Sequence, residues 1–157
     1  INKTSWQRKN IFKKETTEEL VTRIERLSPE SRGLWGKMNV AQMLAHCNVT
    51  YEMVYDNKHP KPNAFKRFFL KAFAKNIVVG EKPYKRNLPT APVFLVGSDK
   101  DFDTEKQRLI DYLHRTQELG EEYFNGRESL SFGRLNTREW NNMFYKHLDH
   151  HLSQFGV

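Results

Sequence analysis

Three of the six histidines lie within five residues of one another in YKHLDHHLSQFGV, Tyr145 to Val157: His147, His150 and His151. Neutral imidazole is the commonest protein ligand for metals, and its charge changes nearest neutral pH. His147 and His151 are four residues apart, so on a helix they share a face with Cβ atoms about 5–6 Å apart. Two rings so placed can hold one ion, the logic of H-x-x-x-H zinc sites. Trp140, Phe144, Leu148, His151, Leu152 and Phe155 recur at helical spacing, and His147 borders that apolar stripe. His150 is rotated away from His151 and is the poorer candidate for an inward ligand. A third histidine, His46, sits beside the stripe of a separate helical segment. Facing helices build metal sites from such inward side chains. The same rings could instead be hydrogen-bonded core histidines, and spacing alone leaves both readings open.

Other polar residues nearby have weaker claims. Gln154, one turn beyond His151, could orient that ring or face an open coordination position, which makes it a candidate catalytic group. Gln42 precedes His46 by one turn and suits a capping role. Cys47 adjoins His46 but points about 100° away around the helix, which suits burial rather than ligation. His59 and His114 lack a partner pattern and read as solvated, and Asp149 reads as surface.

Four amphipathic segments must position these groups. The first spans about 15–28, with Leu20, Val21, Ile24 and Leu27 on one side and Pro29 beyond its end. A second begins after Asn39, with Gln42 completing a capping box, and runs to about Asp56. A third is expected from Asp103 or Thr104 to about Phe124, burying Leu109, Ile110, Leu113 and Leu119. A fourth opens with Asn136 or Thr137 as cap and Glu139 near the box position, and continues to the C-terminus. NGRESLSFGRLN, between the last two, reads as a turn. Residues 57–102 form a long connection, in which NAFKRFFLKAFAKNIV reads as a basic amphipathic helix and VFLV as at most a short strand. The expected fold is all-α: a four-helix bundle with a long, partly helical crossover between helices 2 and 3.

At 157 residues the chain fits one domain, 1–157, large enough to bury roughly 70% of its unfolded surface. Its single cysteine can form no internal disulfide, which fits a reducing compartment. The polar, basic start INKTSWQRKN does not read as a signal peptide. No run approaches the roughly 18–20 apolar residues of a spanning helix. A soluble, cytoplasmic protein is expected.

HLDHHLSQ on the last helix and MLAHC on the second resemble the DinB/YfiT-like superfamily of metal-binding four-helix bundles. WGKMNVAQMLAH and FGRLNTREWNNMFYKHLDHHLSQFG are similar to an uncharacterised branch of it, and the likeness covers nearly the whole chain. The superfamily pattern H-x-x-H-H-x-x-Q falls here on His147, His150, His151 and Gln154. The resemblance implies a divalent metal held by His46, His147 and His151. It also implies a thiol-dependent transferase or isomerase using bacillithiol, mycothiol or glutathione. HHLSQ here departs from the common HHRGQ, which bears on substrate class more than on metal binding. Three imidazoles leave a coordination position open, as in catalytic sites. A divalent ion there would lower the pKa of water towards neutrality, for hydrolysis, or deprotonate a thiol. Zinc is the default, and nickel, iron and manganese also accept nitrogen ligands.

The net charge of +7 is concentrated: residues 58–86 hold nine Lys or Arg and one acid, Glu81, while the remainder is close to neutral. Phe65, Phe68, Phe69, Ala72, Phe73 and Ile77 form one stripe there, with Arg67, Lys71 and Lys75 on another. The stripe would cap the bundle or a homodimer interface with its cations solvated, or form a lid over the metal pocket. Nucleic-acid binding is disfavoured because no recognised module is present. Membrane-surface contact fits a basic amphipathic helix in principle. Two function classes remain: a metal-dependent enzyme acting on a small-molecule substrate or thiol, or a non-catalytic protein using the crossover 58–86 to contact an anionic partner.

Overall fold

Leu20 and Ile24, one turn apart and fully buried, seat the first helix, α1 (Lys14–Glu25), on the core of the computed structural model, which describes residues 7–157. Residues 1–6, part of the polar start that does not read as a signal peptide, lie outside the described residues. α1 stops before the expected Ser28. Arg26 and Leu27 donate to carbonyls three residues back, the tight final turn that precedes a proline-restricted residue.

α2 (Val40–Tyr55) begins as its capping box requires: the Asn39 side chain accepts from the Gln42 backbone N–H at 2.8 Å, and Gln42 accepts from the Asn39 N–H at 3.0 Å. Every residue from Val40 to Glu52 except Gln42 is buried, so α2 is the central helix rather than one with a single inward stripe.

The crossover is helical from Ala64 to Val79, as α3 (Ala64–Phe69), a π-helical turn (Leu70–Ala74) and α4 (Lys75–Val79). Its phenylalanine stripe does not cap the bundle. Phe65, Phe68, Phe69, Phe73 and Ile77 are 43–73% exposed, while Leu70, Ala74 and Val78 pack on the core and Val79 is buried. The cations turn towards protein: Arg67 pairs with Glu128, and Lys75 lies 3.8 Å from Glu139. A π-helical turn carries an extra residue, which rotates the succeeding helix by about 100°. This places Ile77 beside the phenylalanines and sends Val79 inward. VFLV forms no strand; a 3₁₀ turn covers Pro92–Phe94.

α5 (Phe102–Phe124) starts from Asp101, whose carboxylate accepts from the Thr104 N–H at 2.8 Å, slightly earlier than expected. Gly120, at φ 75° and ψ 176°, breaks its regularity near the end, a conformation glycine adopts without a Cβ penalty. Leu109, Ile110 and Leu113 are buried as expected, whereas Leu119 is only partly so. The segment read as a turn is an antiparallel hairpin, β1 (Arg127–Ser129) and β2 (Gly133–Leu135), closed by Ser129. The protein is therefore mostly helical rather than all-α.

α6 (Thr137–Gln154) is capped by Asn136, which accepts from the Glu139 N–H at 2.9 Å. It packs on α1, α2, α4 and α5, while α5 also packs on α1 and α2. Between them Tyr51 stacks against Tyr112 and Phe144, with ring centroids 5.4 and 5.1 Å away. Phe144, Trp140 and Phe124 extend this aromatic layer. Among the described residues, no helix is long and apolar enough to cross a membrane.

Candidate metal centre

The contact between α2 and α6 brings His46 to His147 and His151. Their ring centroids form a near-equilateral triangle: His46–His147 4.8 Å, His46–His151 4.5 Å and His147–His151 4.8 Å. His46 and His151 are buried, and His147 keeps partial exposure. One nitrogen from each ring can be chosen so that all lie within 4.8 Å of one another. The Nε2 atoms of His46 and His147 are 2.9 Å apart.

The contacts of the other nitrogens give this cluster its chemical character. His46 Nδ1 lies 2.9 Å from the Phe94 carbonyl oxygen, which can only accept. His151 Nδ1 lies 2.7 Å from Gln154 Oε1, also an acceptor. Both rings therefore carry their proton on Nδ1 and present an Nε2 lone pair to the centre. His147 Nε2, 2.9 Å from that bare His46 Nε2, carries the proton and donates to it, while the Thr50 hydroxyl donates to His147 Nδ1 at 3.4 Å. His46 and His151 are held as ligating histidines are, with the outer N–H fixed by a carbonyl oxygen, and an ion would replace the ring-to-ring hydrogen bond once His147 moves its proton to Nδ1.

Electrostatics keep the rings neutral. Burial lowers the His46 pKa against the opposing Phe94 hydrogen bond. Burial also depresses His147 well below its usual value, with the neighbouring imidazoles adding to the effect. His151 falls to about 3, through burial first and then His46, despite its bond to Gln154. A ring already neutral need not lose a proton to bind an ion. Ligand nitrogens on one tetrahedral ion at 2.0–2.1 Å stand about 3.3 Å apart. The triad spans that separation, and modest ring rotation would close it. The donor set fits a divalent transition metal held by His46, His147 and His151.

The neighbours resolve the weaker sequence candidates. Gln154 is anchored on both sides: Oε1 accepts from His151, and Nε2 donates to the Trp35 carbonyl at 2.8 Å. Gly36, at φ 82°, leaves room for that amide, since a Cβ there would stand 2.5 Å from Gln154 Nε2. Gln42 only caps. Cys47 is buried against the Met43 sulfur at 3.7 Å, and burial pushes its thiol pKa upward. His150 turns aside from the triad centre towards Trp35 and Tyr84, whose ring centroids both lie 5.7 Å away. These three residues, with Arg86, Lys146 and Asp149, line a groove of about 170 Å³.

Two polar residues depart from expectation. His59 is not simply solvated: its Nε2 lies 2.8 Å from Glu52 Oε2, beside Arg108 and Lys58 on the same carboxylate. Asp149 is not a free surface acid, because Arg23 reaches it at 2.7 Å. His114 is exposed as expected.

Pattern reading does not single out Lys146. It is 1% exposed and donates to the carbonyls of Ile77 at 2.8 Å and Gly80 at 2.7 Å, while Asn142 donates to Val79 O at 2.7 Å. These donors satisfy carbonyls at the end of α4, where a cation also complements the helix dipole. Burial lowers the Lys146 pKa to about 8, against the opposing charge of Glu81. Its position on α6 one turn beyond Asn142 was the available signal, but an ordinary amphipathic reading places lysine in solvent.

A mostly helical scaffold enclosing three converged imidazoles defines the class of protein. The chain belongs to the family described as Protein of unknown function (DUF1569), whose profile matches residues 6–156. No curated protein and no solved structure matches it.

Proposed function

We propose that this protein is a divalent-metal-dependent enzyme, with His46, His147 and His151 as ligands. The carrying observation is the set of outer contacts: Phe94 O and Gln154 Oε1 commit two rings to present Nε2 inward, and the third lies 2.9 Å from one of them. The packing of α1, α2, α5 and α6 supports a single-domain four-helix bundle, and the H-x-x-H-H-x-x-Q pattern supports kinship with the DinB/YfiT-like superfamily.

When bound, the ion supplies Lewis acidity towards a thiol or water in its remaining position. The chain's own residues orient and shelter that position. Gln154 and the Phe94 carbonyl hold two rings, and Phe94 lies against His46 and His147 with centroids 5.4 and 5.7 Å away. Tyr84 stands edge-on to His147 at 6.3 Å. Partial exposure of His147 supplies the solvent approach. Zinc is the favoured ion, with nickel, iron and manganese as competitors. The reaction favoured by kinship is thiol-dependent transfer or isomerisation with a low-molecular-weight thiol; metal-assisted hydrolysis is the alternative. The lone buried Cys47 suits work in a reducing cytoplasm.

The test is elemental analysis of tag-free protein purified without a nickel column, alongside His151→Ala. Near-stoichiometric metal in the native chain and its loss in the variant are expected. No uptake after incubation with zinc, nickel, iron or manganese would make the triad a hydrogen-bonded core cluster. For metal-loaded protein, cobalt substitution with thiol titration then tests the reaction class. A thiolate-to-cobalt charge-transfer band supports thiol chemistry, and its absence turns the reading to hydrolysis.

A further inference from the structure

The outward face of α3–α4 presents Phe65 at 73% exposure, Phe68 at 67%, Phe73 at 71% and Ile77 at 50%, with Phe69 among them. These rings pack on one another: Phe69 stacks on Phe73 at 5.8 Å and meets Phe65 edge-on at 4.8 Å. A contiguous apolar face of this kind on a folded chain marks an interaction site. Among the described residues it lacks a protein cover, although the opposite side of the same helix is seated on the core.

The surrounding charge limits what can cover it. Arg67 and Lys75 are spent on Glu128 and Glu139. Lys61, Lys66, Lys71, Lys82 and Lys85 are exposed and form no ion pair among the described residues. On the helix, Lys66 adjoins the phenylalanine face, whereas Lys71 folds its side chain over Gly133 of the hairpin. A second copy docking through the same face would bring two strongly basic segments together, a repulsive arrangement. Single-stranded nucleic acid is bound by stacking rings set along a basic groove that tracks the backbone, whereas these phenylalanines pack edge-on and in one stacked pair on a convex helix face beside an aliphatic Ile77. An apolar centre in a segment with exposed, unpaired lysines suits a lipid surface: the rings enter the acyl boundary and the ammonium groups reach anionic headgroups.

We propose that α3–α4 is an interfacial anchor, inserting Phe65, Phe68, Phe69, Phe73 and Ile77 shallowly into an anionic membrane surface while Lys66 contacts lipid phosphates. The axis of α3–α4 lies in the plane of that surface, and the Arg67–Glu128 and Lys75–Glu139 pairs hold the protein behind it. This anchor is independent of metal binding.

Vesicle flotation of the full chain tests the anchor, using phosphatidylcholine alone and phosphatidylcholine with 30% phosphatidylglycerol. Binding to the anionic vesicles is expected to exceed binding to the neutral ones at least tenfold and to weaken in 0.5 M salt. Phe68→Glu/Phe73→Glu should lose at least tenfold in binding while retaining native circular dichroism, because both side chains already face solvent. Lys66→Glu should weaken the preference for anionic lipid. Failure to float with either vesicle overturns the proposal. So does a concentration-dependent dimer that Phe68→Glu/Phe73→Glu disperses, or a single-stranded oligonucleotide that binds more tightly than the vesicles and is lost in the same variant.

Discussion

Along the α2–α6 contact, polar rings are drawn inward and each acquires an outer partner; along α3–α4, large apolar rings face outward in a segment with exposed lysines. Residue type alone would assign the opposite locations. Burying imidazole is tolerable because neutral rings can be hydrogen-bonded and can share an ion. Exposing phenylalanine gains nothing for the isolated fold, since its area remains in water. The histidine face thus gathers three neutral nitrogen donors that could hold an ion, whereas the phenylalanine face leaves its apolar area in water.

The largest effect should come from removing an inward ring. His151→Ala is expected to weaken metal binding by more than about a hundredfold, above the usual effect of losing an outer partner. His46→Ala and His147→Ala should do the same, whereas His150→Ala should largely retain the metal. Chelator competition followed by elemental analysis measures this series. Equal loss in all four variants would erase the geometric distinction between the triad and His150.

A smaller effect is expected one shell outward. Gln154→Leu removes the acceptor that fixes His151 Nδ1–H, and such partners typically contribute 10–100-fold in metal affinity. Gly36→Ala should impair the same amide indirectly, because its Cβ would invade the space of Gln154 Nε2. If both variants bind metal like the native chain, the outer hydrogen bond is structural and the triad does not depend on it.

The pairing of His147 with His151 was legible because its signal is local, a four-residue spacing beside an apolar stripe, and His46 was legible as a third ring at the margin of another buried helix. Their convergence is what the fold adds. The capping box at Asn39 and the side-chain cap at Asn136 were legible because their signals are local as well. Phe94 was not, since it contributes a backbone carbonyl from 48 residues away, an acceptor every residue possesses. The crossover was legible as a helix but not in its rotation. Its four phenylalanines were read as a cap on the bundle or on a homodimer interface, or as a lid. They do not cap the bundle, because Leu70, Ala74, Val78 and Val79 are the residues turned to the core and Asn142 and Lys146 anchor the end of α4. The hairpin was missed because its strands, three residues each, show too little alternation to distinguish them from a turn.

Glu52 joins the two regions, gathering Arg108 from α5 and Lys58 and His59 from the start of the crossover. Burial would raise its carboxyl pKa, but hydrogen bonds from Arg108 and His59 and the nearby cations outweigh burial and hold it below the ordinary value. A carboxylate lowered in this way stabilises the fold fully above its unfolded pKa, near 4.3, and loses that contribution as pH falls through its folded value. Glu52→Gln is therefore expected to cost about 1 kcal/mol at neutral pH, because Lys58 and Arg108 retain access to solvent. It should also flatten the acid limb of stability against pH, measured by urea unfolding from pH 7 to pH 3. An unchanged acid limb would mean that the crossover is held to α2 by other contacts.

The smallest expected effect bears most directly on the outward face. Phe68→Ser and Phe73→Ser remove large apolar side chains, yet each should change unfolding free energy by less than about 0.5 kcal/mol in the absence of lipid. A buried phenylalanine offers the contrast: Phe144→Ala, within the stacked aromatic layer, should cost about 3–5 kcal/mol. The difference arises from environment rather than residue type, since the outer rings remain 67–71% exposed in the folded chain. Urea unfolding monitored by circular dichroism at two protein concentrations decides the matter. Losses above about 1 kcal/mol that grow with protein concentration would mean that a second copy covers the face in solution. Losses of that size at every concentration would mean that the chain covers it itself. Near-neutral substitutions that nevertheless abolish flotation would place the value of these rings in partner binding rather than in the fold.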